Sequence, residues 1–258
     1  RPDAEPSQLV LRWRASQTPS TIRWPAYEWF TEPSVVMGGE LLRFRPGRLR
    51  EVEIPSYDRP EAELTLPRPR GYLVLPGWPQ IETLLAGHGL RVSRLTAPLD
   101  VEVETIRVGD PVFAARSYQG AVLIEKFTVA RALERRAIPA GALWLPADQP
   151  DFEVAAQLLE PEAPDSVLRW GLVNTVFERK NYIDPDLLED LARSMIVDPE
   201  VAAAWENALE DEAFAADRSA RYLWWYRRTP YWDEQVGLLP AFRVVTAVPM
   251  ALAPWPGE

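Results

Sequence analysis

One six-residue pattern occurs twice in this chain, 70 positions apart: GYLVLP at 71–76 and GALWLP at 141–146 share G-x-L-x-L-P. Each copy is followed by a further proline and a helical pattern. After the first, Ile81, Leu84 and Leu85 sit at helical spacing, and the GHG of 87–89 ends the helix in a left-handed cap. After the second, Phe152, Ala155, Ala156 and Leu159 recur at i, i+3, i+4 and i+7. Two copies fall short of a solenoid, and they predict one strand–helix unit used twice within a single layer. Between them, LDVEVETIRV (99–108) and AVLIEKFTVA (121–130) read as strands.

The flanks differ from this centre. In the first 66 residues QLVLRW (8–13), ELLRFR (40–45) and REVEIP (50–55) alternate apolar and polar side chains, with MGGE (37–40) as turn chemistry. RPEAELTLPRPRG (59–71), with three prolines, is the expected internal boundary. The last third is helical. Asp184 and Asp198 each cap a helix that opens on proline, burying Leu187, Leu188, Leu191 and Met195 in the first and Val201, Trp205, Ala208 and Leu209 in the second. RSARYLWWYRR (218–228) makes a third helix before Pro230, and LPAFRVV (239–245) a returning strand. The expected class is α+β or α/β. A β-rich segment at 1–66 precedes an accessory domain at 67–258, a mixed sheet with two strand–helix units and a helical C-terminal end. The Pro-rich ends around 2–6 and 249–256 read as loose tails.

Composition removes several chemistries. A net charge of −10 disfavours general binding to phosphate backbones or anionic membranes. No apolar run approaches the roughly 20 residues of a membrane span. With no cysteine and one histidine, His88 in a glycine-flanked turn, a zinc site or a serine-hydrolase triad has too few donors in this chain. No phosphate-cradling glycine motif is present. No catalytic residue, metal ligand or cofactor is therefore assigned to the chain.

Three constellations remain. Glu160, Glu162 and Asp165 cluster in LLEPEAPDSVLRWGLVN (158–174), where Pro161 stops the preceding helix and Asp165 or Ser166 can cap a following segment. Helix ends account for these acids, and a pair of functional carboxylates is the sharper alternative. FERKNYID (177–184) brings Glu178, Lys180 and Tyr182 together as a candidate binding segment, or as a solvated loop. Tyr222, Trp224, Trp225, Tyr226, Tyr231 and Trp232 are denser than one helix face can bury, so Trp224, Trp225 and Trp232 are interface candidates.

AGALWLPADQP (140–150), LLEPEAPDSVLRWGLVNTVFERKNYI (158–183) and FRV (242–244), with the earlier YEWFTEPSVVMGGELLRF (27–44) and RGYLVLP (70–76), resemble the C-terminal, non-catalytic region of large bacterial zinc metallopeptidases of the carboxypeptidase A-like family. The likeness runs over roughly residues 20 to 245, and the 160–182 block is its most specific part. In that family two histidines and a glutamate hold zinc, and a further glutamate is the general base. The motif is absent here, so no such role is carried to any position. The resemblance implies an upstream catalytic peptidase domain as partner, zinc only in that parent, and a peptide substrate reached through it. It implies no nucleic acid. With the absence of an initiator Met, it implies a periplasmic or secreted protein. The alternatives are a free-standing module binding glycan or peptide through exposed aromatics, and a carboxylate-based glycosidase-like enzyme using Glu160, Glu162 or Glu178.

Overall fold

Period-two alternation in the N-terminal segment produces four strands in two separate ribbons. The computed structural model describes residues 8–254, in two units: residues up to 68 with 162–164, and 69–161 with 165 onward. In the first unit β1 (Gln8–Ala15) pairs antiparallel with β4 (Pro60–Pro67), and β2 (Ser20–Pro33) pairs antiparallel with β3 (Glu40–Ser56). The expected strands 40–45 and 50–55 are thus one strand. Pro46 and Gly47 interrupt it, so that Tyr27 faces Leu49 while Trp29 faces Phe44. The division between the two units after Arg68 falls within the 59–71 segment. That segment carries β4, whose prolines stand at the strand ends, where a missing N–H is tolerated. The β2–β3 turn is closed by Ser34, whose N–H donates to the Gly39 carbonyl at 2.8 Å and whose Oγ accepts from Met37 N–H at 3.0 Å.

The second unit is built on a seven-stranded sheet in the order β11-β6-β9-β5-β10-β7-β8. Its strands are β5 (Gly71–Val74), β6 (Ser93–Leu95), β7 (Leu99–Phe113), β8 (Ile124–Ile138), β9 (Leu143–Pro146), β10 (Ala241–Val244) and β11 (Leu252–Pro254). The two echo segments are immediate neighbours: β5 and β9 run antiparallel with Leu73 opposite Trp144 and Gly71 opposite Pro146. Each leads to its helix, α1 (Pro79–Gly87) and α2 (Phe152–Leu159). All the sheet's ladders among the described residues are antiparallel, which makes the class α+β. Gly71 is required by close approach, because a Cβ there would run into the Leu145 carbonyl and the Trp144 ring. One core cluster gathers Leu73, Leu95, Val101, Val103, Ile138, Phe242 and Val244. Each such side chain contributes about 1.5–3 kcal/mol by leaving water.

The helical end follows its aspartates. α3 (Pro185–Met195), α4 (Pro199–Leu209), α5 (Glu212–Ala216) and α6 (Arg218–Tyr226) are capped by Asp184, Asp198, Asp211 and Asp217, each accepting backbone N–H groups of the first turn. α5 is an addition to the sequence reading. Leu187 is exposed rather than buried, and the apolar residues of α4 are only half-buried, because this helix lies at the edge of its small aromatic core. The expected helical segment through Val167, Leu168 and Trp170 does not form; turns fill 167–173, ahead of a short 3-10 helix at Asn174–Phe177. The chain turns after Asp165 instead, with Ser166 Oγ donating to the Pro161 carbonyl at 3.1 Å and accepting from Arg169 N–H at 3.2 Å. The C-terminal tail is held as well, since β11 pairs with β6; residues 1–7 and 255–258 lie outside the described residues.

Candidate functional site

The acid that the helix-end reading explained most simply turns out to have the least simple surroundings. α2 stops at Leu159, ahead of Pro161, and the extended backbone of Glu160 sends its carboxylate into the core, where it is 0% exposed. Tyr72 donates its hydroxyl to Glu160 Oε1 at 2.7 Å, Arg243 Nε lies 3.1 Å from the same oxygen, and Arg131 Nη2 reaches Oε2 at 3.1 Å. Arg243 also bridges to Glu104 at 2.7 Å. Two carboxylates and two guanidiniums therefore balance in one knot joining the end of α2 to β5, β7, β8 and β10. Burial holds the Tyr72 phenol well above its ordinary pKa, and the neighbouring Glu160 carboxylate raises it further, while Arg243 and Arg131 pull it partly back. A buried carboxylate with both oxygens engaged has little freedom to act on a substrate. Its contribution is to lock one arrangement of strands.

FERKNYID divides. Glu178 and Lys180 line a cleft of about 360 Å³ together with Trp78, Asp233, Gln235 and Leu238. Asp233 organises it, accepting from Lys180 N–H at 3.0 Å and from Gln235 N–H at 2.9 Å while itself buried. The Lys180 ammonium donates to the Thr175 carbonyl at 2.8 Å and stands 4.0 Å from the Glu178 carboxylate. Tyr182 does not share the cleft and is 87% exposed. Asp233 and Trp78 were not picked out from the sequence. They lie far from 178–180 along the chain, and neither carries a local motif. The cleft offers a cation, two carboxylates and one aromatic face, which suits polar ligand groups.

The aromatic cluster also divides. Trp225 and Tyr226 are buried, while Trp224 and Trp232 are half-buried. Trp205 of α4 covers the pair, with ring centroids 4.8 Å from Trp224 and 4.9 Å from Trp225, and Trp232 packs edge-on against Tyr226 at 5.2 Å. Arg228 lies over Trp224, 3.4 Å from the ring centroid. Among the described residues no three histidine, cysteine, aspartate or glutamate side chains come together to hold a metal ion.

No protein-family model matches the chain, and no solved structure gives a significant match. Among curated proteins it is 34% identical over 115 residues to carboxypeptidase 2 of Trichophyton tonsurans, covering 44% of this chain and 21% of that protein. It is 33% identical over 115 residues to carboxypeptidase 2 of Trichophyton rubrum, again covering 44% of this chain and 21% of that protein. Against probable carboxypeptidase 2 of Arthroderma benhamiae it is 34% identical over 107 residues, 41% of this chain and 20% of that protein. The chain thus spans about a fifth of the length of the relatives it matches. These relatives are fungal, whereas the family resemblance pointed to bacterial proteins. Part of the chain is thus similar to part of proteins named carboxypeptidase 2. No helix among the described residues is long and apolar enough to cross a membrane.

Proposed function

We propose that this chain is the accessory, non-catalytic C-terminal region of a larger protein resembling zinc metallocarboxypeptidases. It packs on a catalytic peptidase domain, shapes that domain's cleft, and through it meets a peptide substrate. Zinc belongs to that domain on this reading, and the parent is periplasmic or secreted. One observation carries the proposal: similarity to proteins named carboxypeptidase is confined to about a fifth of their length, in a chain whose one histidine and no cysteine leave few donors for a zinc site. The glycosidase-like alternative loses its most buried acid, because Glu160 is committed to Arg131, Arg243 and Tyr72. A free-standing glycan- or peptide-binding module keeps one supporting observation, the exposed Trp24, Trp29 and Phe44.

The test is to read the parent reading frame, express its remaining part separately, and mix the two pieces. Association, with a changed kcat/KM on peptides bearing a free C-terminus, is expected. A frame without a zinc-motif domain, or pieces that neither associate nor alter activity, overturns the proposal and favours the free-standing module.

A further inference from the structure

α6 has two faces with different fates. Tyr222, Trp225 and Tyr226 turn into the small aromatic core. The other stripe, Ala220, Leu223, Trp224, Arg227 and Arg228, follows i, i+3, i+4, i+7 and i+8; its Leu223 and Trp224 also pack against the edge of that core, and with Phe214 of α5 it lines a cleft of about 530 Å³. The apolar part of this stripe is half-buried, so the cleft has a floor rather than a bare helix surface.

Its cationic end is unusual. Arg227 and Arg228 are adjacent, and among the described residues neither has a carboxylate in ion-pair range, in a chain that carries ten more acids than bases. Capping the helix end explains only part of this: one N–H of Arg228 donates to the Trp224 carbonyl at 2.7 Å. The same guanidinium lies over the Trp224 ring, its Cζ 3.4 Å from the centroid, and Arg227 lies farther over Trp232, at 5.6 Å. Partial burial, and then the Arg227 charge, lower the Arg228 pKa, as expected of two cations sharing a site without an anion.

We infer that this cleft binds a small organic carboxylate bearing an apolar group, about the size of an amino acid or dipeptide. The guanidiniums would take the carboxylate through paired N–H donors, and the Phe214–Leu223–Trp224 floor would take the apolar group. The volume falls within the roughly 300–1,000 Å³ of small-molecule sites. A monoanion fits better than a dianion such as phosphate, because the walls are apolar and the chain is strongly negative. This reading does not depend on the accessory role.

The test uses the purified chain and N-acetyl-L-phenylalanine, followed by calorimetric titration and by saturation-transfer NMR. A Kd of about 0.1–1 mM is expected. The corresponding amide should bind at least about tenfold weaker, and inorganic phosphate should not compete. Arg227→Gln should weaken binding of the acid about tenfold without moving the melting temperature, since Arg227 is exposed. Arg228→Lys keeps the charge and loses the planar fork, so it should weaken binding as well. Equal affinity for acid and amide, competition by phosphate, unchanged affinity in Arg227→Gln, or no binding up to about 10 mM acid would each overturn the inference.

Discussion

Two long antiparallel ribbons dominate the strands of this protein, and they meet opposite fates. β7, of 15 residues, buries Val101 and Val103 on one face and Ile106 and Val108 on the other, and β8, also of 15, buries Ile124 and Ile138 at its ends. β2 and β3, of 14 and 17 residues, contain no buried residue. Trp29, Phe44 and Leu49 are more than half exposed, and Val36 at the tip is 92% exposed. The alternation is equally regular in both sequences. The difference lies in what arrives later in the chain: β10, some 130 residues beyond β7, pairs with that ribbon and closes the sheet. A two-stranded ribbon alone is marginal in water. The apolar face of β2–β3 is therefore the part of the molecule with the most to gain from a partner.

The comparison is sharpest for ion pairs. Removing one partner of a buried pair leaves an uncompensated charge, so Glu160→Ala should cost about 3–5 kcal/mol in urea unfolding of the whole chain. Arg43–Glu32 on the β2–β3 ribbon is as short, at 2.8 Å, yet both side chains are largely exposed. Glu32→Ala should cost about 0–1 kcal/mol. Similar costs for the two substitutions would mean that Glu160 is not in the environment described.

Next in size is apolar truncation. Leu73, at the centre of the echo strand and fully buried, should lose about 2–5 kcal/mol on change to Ala. A loss below about 1 kcal/mol would imply that the β5–β9 pair is not the middle of a packed sheet.

Alkaline pH probes the same knot. The folded-state pKa of Tyr72 is raised, first by burial and then by Glu160. The protonated phenol therefore contributes stability that is fully present below the unfolded value of about 10 and is lost as pH rises through the folded value. Tyr72→Phe should be less stable near pH 7 by about 1–3 kcal/mol, because Glu160 loses a buried donor. Above about pH 10 the gap between wild type and variant should narrow. A gap that stays constant from neutral to strongly alkaline pH would remove the phenol from the account.

What could be read from the sequence follows from the range of the forces involved. The caps at Asp184 and Asp198, the end of α2 before Pro161, and the paired G-x-L-x-L-P strands are decided within a few residues, and all of them are visible in the chain itself. The role of Glu160 was not. Its partners Tyr72, Arg131 and Arg243 come from 29 to 88 residues away, and three charged residues and a tyrosine at such separations carry no pattern. Pro161 gave a sufficient local reason for the helix to stop, and that reason hid the side chain's destination. The cleft at Glu178 and Lys180 was half legible for the same cause: the two wall residues are local, whereas Asp233 that orders them is not.

The smallest expected effect bears most on function. Trp29 faces Phe44 across the β2–β3 ladder, and both rings are more than half in water. Replacing a fully buried Trp by Ala typically costs about 3–5 kcal/mol, whereas a cross-strand pair on an exposed ladder contributes only about 0.2–1 kcal/mol. Trp29→Ala should therefore barely change the unfolding of the isolated chain. If the apolar face of β2–β3 is where a partner rests, the same substitution should weaken binding of the separately expressed remainder of the parent by tenfold or more, as truncating a contact aromatic does. The two measurements are independent. A large loss of folding stability would show that the ribbon is packed within its own chain. Unchanged folding and unchanged association would leave the apolar face without a partner, and would move any contact with a catalytic domain to the second unit.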